Sequence, residues 1–329
     1  MKHWPALLLC AAANAQADTC SASLSDVNFG SVSPITGSDI YASATGNISC
    51  TWTLISPTIP FVLLFPNAVV CVNLGTGSNS SSTTPRTLGN VLQYNLYRDN
   101  SYAAASIFGG PGTPATPTPL TVTMTAPNLV TGGTINQAFT VYGKIPSGAS
   151  LASVPTTGNN NTVYSSSFAG HATVSYAFYN LVQPACTSGG SASFSFQASS
   201  TVINDCTITA TPVSFGSAGI LNGPKRATGA LTVRCTNNNA YQITLNGGSV
   251  AGNVAARKMK PASGTERISY NLSQTLDGAI WGDGTGATTK YSGTGTGTAA
   301  NLTVYGMVPA QSTPAPGDYQ DTVTATVIF

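Results

Sequence analysis

Thr140-Val141-Tyr142-Gly143-Lys144-Ile145-Pro146 returns later in the chain as Thr303-Val304-Tyr305-Gly306-Met307-Val308-Pro309. Each copy alternates apolar and polar residues ahead of its proline, the period of a half-buried strand. Outward from the motif the two surroundings stay in step. Cys20, Val27-Asn28-Phe29-Gly30 and Cys50 lie before the first copy; Cys206, Val213-Ser214-Phe215-Gly216 and Cys235 lie before the second. Tyr94-Asn95-Leu96 matches Tyr270-Asn271-Leu272, and Ile107-Phe108-Gly109 matches Ile280-Trp281-Gly282. Beyond the motif, Ala172-Thr173-Val174-Ser175-Tyr176 is set against Asp321-Thr322-Val323-Thr324-Ala325. Matches that keep their order mean one structural unit used twice.

Thr-, Ser-, Val- and Tyr-rich runs broken by Gly and Pro read as an all-β chain. Strands at this spacing imply two tandem immunoglobulin-like β-sandwich domains, residues 18–203 and 204–329. Only 7% of residues are charged and the net charge is +2, so nucleic acid and anionic membrane are not expected partners. With 42% hydrophobic residues the chain has the material for packed cores. Lys2 and His3 precede the apolar run Ala6 to Ala13, and Ala15-Gln16-Ala17 offers small residues for cleavage. Residues 1–17 therefore read as a secretory signal peptide, and the protein as exported. Cys10 falls in that leader, and the remaining cysteines of an exported chain read as disulfides. The repeat pairs Cys20 with Cys50 and Cys206 with Cys235, each closing a loop of about thirty residues worth roughly 3–4 kcal/mol. Cys71 and Cys186 are left for each other.

The order Cys…Phe-Gly…Cys…Tyr-Asn-Leu…Phe/Trp-Gly…Val-Tyr-Gly-x-x-Pro resembles the spore coat U domain, the pilin module of archaic, Csu-type chaperone–usher pili. The second copy ends on the family's Tyr319-Gln320-Asp321-Thr322-Val323 pattern, whereas the first departs at Phe168-Ala169-Gly170-His171-Ala172. The first copy also carries a further strand-like run, Ser191 to Val202, after its matched strand; the second reaches Phe329 without one. The second domain is thus expected to lack its last strand and to expose a groove along Val323, Ala325, Val327 and Phe329. An open sheet edge invites aggregation, and a strand donated by another chain cures it. The resemblance implies a periplasmic chaperone, an outer-membrane usher and the next pilin subunit as partners. Only Asp18 and Thr19 separate the expected cleavage site from Cys20, which leaves no donor peptide and implies a place at the tip of a fimbria on the cell surface.

The first copy has grown in three loops expected at the pole away from the second. One insert holds Ile55, Pro57, Ile59, Pro60, Phe61, Val62, Leu63, Leu64 and Phe65. The long region Pro111 to Gln137 holds Leu129 and Val130, and a third loop holds Leu181 and Val182. A Cys71–Cys186 bond is expected to tie the base of the first loop to the third. Exposed apolar loops mark a binding surface. The resemblance implies a tip adhesin gripping abiotic or hydrophobic surfaces and supporting biofilm formation. The alternative is that Ile59 to Phe65 forms an extra buried strand between its prolines.

Chemistry is scarce. His171 is the one histidine beyond the leader and Glu266 the one glutamate. No enzyme, cofactor or metal is expected. Gly293 to Gly297 reads as a loop and not a phosphate cradle, and Asp277 and Asp283 lack calcium-loop spacing. Lys225, Arg226, Arg257, Lys258 and Lys260 read as a solvated face. A structural pilin or coat subunit is the competing function. A carbohydrate-binding lectin-like tip is another, and it would show aromatics gathered with acids. Non-reducing peptide mapping is expected to return the pairs Cys20–Cys50, Cys71–Cys186 and Cys206–Cys235 with no free thiol; a crossed pair such as Cys50–Cys71 would break the repeat.

Overall fold

The computed structural model describes residues 18–53, 66–110, 118–128 and 132–329. Its first half supplies β1 (Thr19–Leu24), β2 (Val27–Val32), β3 (Ile40–Trp52), β4 (Asn67–Leu74), β5 (Arg86–Leu88) and β6 (Leu92–Tyr97). It continues with β7 (Leu120–Thr125), β8 (Gly133–Ile145), β9 (Thr162–Ser167), β10 (Ala172–Tyr179), β11 (Gly190–Phe194) and β12 (Gln197–Val202). Sheet β1-β3-β8-β6-β5 packs over sheet β11-β10-β4-β7, and β2-β12-β9 closes the side. Alternation drives the packing: along β8, Phe139, Val141 and Ile145 point into the core while Tyr142 and Lys144 point out.

The second half forms β13 (Cys206–Ala210), β14 (Lys225–Cys235), β15 (Ala240–Leu245), β16 (Lys258–Met259), β17 (Ile268–Ser269) and β18 (Asn271–Ser273). β19 (Tyr291–Thr294), β20 (Ala300–Val308) and β21 (Ala325–Ile328) come next. Sheet β13-β14-β20-β18 and sheet β19-β15-β21 enclose a separate core around Val233, Ile243, Leu272 and Trp281, and β16 pairs with β17 alone. The protein is an all-β pair of tandem immunoglobulin-like sandwiches.

Several expectations are corrected. Pro111 to Gln137 is not one loop: the alternating Leu120-Thr-Val-Thr-Met-Thr125 pairs with β4 as β7, and β8 begins at Gly133. Gly293 and Thr294 belong to β19, so the glycine run is only partly loop. The last repeat match also shifts. Ala172 lies opposite Leu74 on β4, and Ala325 lies opposite Leu245 on β15. Ala172-Thr173-Val174-Ser175-Tyr176 is therefore equivalent to Ala325-Thr326-Val327-Ile328-Phe329, because pairing register and not the nearby Asp-Thr-Val string sets the strand.

The repeat also explains the glycine of the opening motif. A Cβ on Gly143 would stand 2.7 Å from the Phe29 ring, and one on Gly306 2.9 Å from the Phe215 ring. The same rings pack edge-on against Tyr94 and Tyr270 at 5.8 and 6.3 Å. Phe-Gly, Tyr-Asn-Leu and Val-Tyr-Gly are one contact written in three places.

Each core also holds a buried arginine. Arg257, expected on a solvated face, is 1% exposed, and Arg86 is 0% exposed. The Arg86 guanidinium donates to the carbonyls of Gly75 (2.8 Å), Leu74 (2.8 Å) and Phe108 (2.6 Å). Arg257 donates to the carbonyls of Asn246 (2.8 Å), Leu245 (3.2 Å) and Trp281 (2.8 Å). Burial without a carboxylate partner pulls the Arg86 pKa down to about 10, so it stays charged at neutral pH. Burial pushes the neighbouring Tyr94 phenol up to about 12. These cations bind the loose end of a strand to the Phe-Gly or Trp-Gly turn.

Removing Arg86 or Arg257 as alanine strands buried carbonyls, with an expected loss of about 3–5 kcal/mol in urea unfolding. Arg226 pairs with Asp277 at 2.8 Å on the surface, with both side chains over 40% exposed. Arg226→Ala is expected to leave the unfolding curve almost unchanged, because solvent screens an exposed ion pair. Equal effects at Arg257 and Arg226 would remove the clamp from the account of stability.

Candidate functional site

In the first sandwich one strand seals the core between its opening and closing strands. β11 runs antiparallel to β10, from Ala172 opposite Phe194 to Tyr176 opposite Gly190. β12 then crosses over to run parallel to β2 and antiparallel to β9. Phe194, Phe196, Ala198, Ser200 and Val202 point inward at alternate positions and are all buried. Phe196 stacks on Phe168 at 4.2 Å between ring centroids. Beneath that strand Val27, Phe29 and Val32 are buried too.

The second sandwich has the groove without the strand. β21 pairs with β15 on one edge, and among the described residues no strand pairs with its other edge. Val213-Ser214-Phe215-Gly216, equivalent to residues of β2, belongs to no sheet, since a parallel partner like β12 is missing. Val213 and Phe215 nevertheless turn inward onto the core. Tyr176 is 9% exposed, whereas its equivalent Phe329 is 48% exposed. Of the expected groove residues, Val323, Ala325 and Val327 form a half-buried row against the core and Phe329 stands open at its end.

Register places three loops of the first sandwich at one pole. Trp52 faces Gly133, and Asn67 faces both Thr125 and Tyr179, so the chain leaves β3, β7 and β10 at the same end. β12 leaves at the other end, where Ile203 donates to the Val32 carbonyl. Leu181 and Val182 sit at the pole, 88% and 83% exposed. Ile55, Pro57, Ile59, Pro60, Phe61, Val62, Leu63, Leu64, Phe65, Leu129 and Val130 lie outside the described residues.

The disulfides join Cys20 to Cys50, Cys71 to Cys186 and Cys206 to Cys235. Cys71 lies in mid-β4, opposite Ser175 and Thr121, not at the base of the insert. The bond therefore draws the 180–189 loop back over the outer face of its sheet. Cys71 itself is 3% exposed on that face. The side chain of Asn67 also donates to the Asn180 carbonyl at 3.2 Å.

Polar chemistry is dispersed. His171 offers its backbone carbonyl to the Gly75 N–H at 2.7 Å. Asp277 is held by Arg226, and Asp283 accepts from its neighbour Thr285. Among the described residues no three His, Cys, Asp or Glu side chains gather as metal ligands, and no helix is long and apolar enough to cross a membrane. Sequence reasoning missed the buried arginines, whose signal is an arginine ahead of each Tyr-Asn-Leu. It also missed four tyrosines on the outer face of the first sandwich, three brought together by strand register and the fourth, Tyr102, by the turn after β6.

The fold is a tandem β-sandwich with one closed unit and one unit whose last strand is unpaired on one side among the described residues. The family profile of the Spore Coat Protein U domain matches residues 6–159 and 192–326, and the chain belongs to that family. It is similar to Protein U of Myxococcus xanthus, with 37% identity over 108 residues. That match takes in 31% of this chain and 59% of the length of Protein U. The fold is similar to a chain in the crystal structure of the CsuC–CsuE chaperone–tip adhesion subunit pre-assembly complex from archaic chaperone-usher Csu pili of Acinetobacter baumannii. The TM-score is 0.50 at 20% identity, covering 94% of this chain and 100% of that one.

The two grooves make a paired test. Phe29→Ala, in the sealed groove, is expected to cost about 3–5 kcal/mol. Phe215→Ala, at the half-covered equivalent, should cost roughly half of that. Equal losses in denaturant melts would mean that both grooves are filled.

Proposed function

We propose that this chain is a pilus tip adhesin of the chaperone–usher type, exported to the cell surface, where it supports attachment and biofilm formation. Residues 18–203 act as the adhesive unit and residues 204–329 as the pilin unit that accepts a donor strand. The observation that carries the assembly half is the contrast between Tyr176, covered by β11, and Phe329, covered by no strand among the described residues. A periplasmic chaperone first covers the row Val323, Ala325, Val327 and Phe329. The next pilin subunit then replaces it at the outer-membrane usher. Exchange between two strand donors leaves no moment at which the edge is bare.

Leu181 and Val182 support the adhesive half. Aliphatic side chains that open to water, on a loop stapled by Cys71–Cys186, contribute nothing to the core beneath them. Each gives about 1.5–3 kcal/mol when fully buried against an apolar surface. Association costs remove much of that for one molecule, and many fibres acting together restore it. The strands that flank the apolar insert Ile55 to Phe65 and the pair Leu129 and Val130 end at the same pole, so the contact is read as one hydrophobic surface built from three loops. Abiotic or generally apolar material is a suitable target, because such a contact asks for area and not for a shaped pocket.

Two measurements test the reading. Appending a copy of residues 190–202 through a flexible linker after Phe329 is expected to raise the melting temperature and abolish chaperone binding. Continued chaperone binding would show that the open edge is not where the partner docks. Leu181→Asp combined with Val182→Asp is expected to shift stability by no more than about 0.5 kcal/mol per site while cutting attachment to polystyrene severalfold. Unchanged attachment would remove the pole from the function.

A further inference from the structure

The outer face of the β1-β3-β8-β6-β5 sheet carries four tyrosines in one patch. Tyr41 on β3, Tyr142 on β8 and Tyr97 on β6 are brought side by side by register, with Tyr41 opposite Lys144 and Tyr97 opposite Tyr142. Tyr102 comes from the segment after β6 and lies among them. Its ring centroid is 4.6 Å from Tyr41, 5.3 Å from Tyr97 and 6.4 Å from Tyr142. Tyr41 remains 52% exposed. Lys144 Nζ stands 6.0 Å from the centroid of Tyr41 and 2.8 Å from Asp39 Oδ2.

The patch is built, and the fold does not require it. Tyr102 has φ +54°, a region that bulky side chains avoid. A hydrogen-bonded turn holds it there. Asp99 accepts from the Ser101 N–H at 2.9 Å, the Ser101 hydroxyl accepts from the Ala103 N–H at 3.2 Å, and Arg98 donates to the Ala105 carbonyl at 2.6 Å. The second sandwich shows the same framework with only one of the tyrosines, Tyr305, kept. There Arg226 lies opposite Met307, as Tyr41 lies opposite Lys144, and Ser273 takes the place of Tyr97 opposite Tyr305. The loop residue that meets Arg226 is Asp277, also at φ +54°. Aspartate adopts that conformation readily. In the first sandwich a tyrosine is held there against its preference, and strain of this kind gathers at functional sites.

We propose that Tyr41, Tyr102 and Tyr142, backed from beneath by the buried Tyr97, form a platform that binds a neutral pyranose unit of a surface polysaccharide. Tyrosine joins an apolar face to a polar tip, which suits a ring with C–H faces and hydroxyl edges. The rim adds carboxylate acceptors (Asp39, Asp99) and cationic donors (Lys144, Arg98), both of which hydroxyls can use. Their charges are balanced: Asp39 is held down to about 2 by the Lys144 ammonium and the Ser147 N–H, and Lys144 is raised in return. A paired rim offers no net attraction to an anionic ligand. The site is separate from the apolar pole and from the open groove.

The full chain is titrated with cellohexaose, maltohexaose, chitohexaose and a mannan oligomer, with heparin as the charged comparison, using ligand saturation-transfer NMR. At least one neutral saccharide is expected to bind with a Kd of about 1 mM or tighter. Tyr41→Ala and Tyr102→Gly should each weaken it by about tenfold or more, while Tyr41→Phe, which keeps the ring, retains most of it. Tyr102→Gly is expected to melt no lower than the parent, because glycine relieves the strained backbone, so lost binding cannot be attributed to unfolding. Three results would overturn the site: no saccharide binding, saccharide binding indifferent to the tyrosines, or heparin preferred. Loss of polystyrene attachment in Tyr102→Gly without any saccharide binding would assign the patch to the hydrophobic surface instead.

Discussion

A two-layer β-sandwich stays dry only if a strand lies between its first strand and its last, and this chain meets that requirement once in two places. Where β11 and β12 run, Tyr176 and the Phe29 environment are sealed and β2 pairs as a strand. Where no such strand runs among the described residues, residues 213–216 drop out of the sheet and the row Val323, Ala325 and Val327 stays half open. The same core, with the same tyrosine, aromatic ring and glycine, is complete in one unit and conditional in the other. The asymmetry comes from backbone hydrogen bonding more than from side-chain identity, because β2 and its counterpart share the Val-x-Phe-Gly sequence.

The buried arginines show how much of each core is independent of the missing strand. Arg86 and Arg257 bind equivalent carbonyls on the ends of β4 and β15, and both are fully enclosed. That side of the second sandwich is as closed as the first. The gap is confined to one edge.

Much of this was legible in the sequence. Alternation and the paired cysteines announced strands and a repeat, since both depend on local spacing. The strand that closes the first sandwich could be read from the run Ser191 to Val202, which the first copy carries downstream of Ala172. Other features depended on register, which local patterns specify weakly. The Asp321-Thr322-Val323 match was four residues out, because Ala325-Thr326-Val327 is the segment that pairs as Ala172-Thr173-Val174 does. Arg257 looked like surface because a charge on a short strand-poor stretch usually is surface; only the ring of carbonyls around it says otherwise. Tyr41, Tyr97, Tyr102 and Tyr142 are spread along the chain and become neighbours only through β3, β8 and β6.

The joint between the two sandwiches is stitched by asparagines. Asn159 exchanges hydrogen bonds with Ala240, and Asn237 donates to the Ser153 carbonyl at 2.7 Å. The covalent path through this joint is short: β12 passes through Ile203, Asn204 and Asp205 into β13, whose first residue is cross-linked to β14 by Cys206–Cys235. A pull along the chain therefore enters β12 lengthwise. β12 is held on one side by β2 and on the other by β9, so the load falls on both ladders in shear and not one bond at a time. Beyond the joint the tension meets a sulfur bridge within a single residue of the second sandwich. The strand that seals the first core is thus also its tether, and mechanical tension is shared across two ladders before it can open the core.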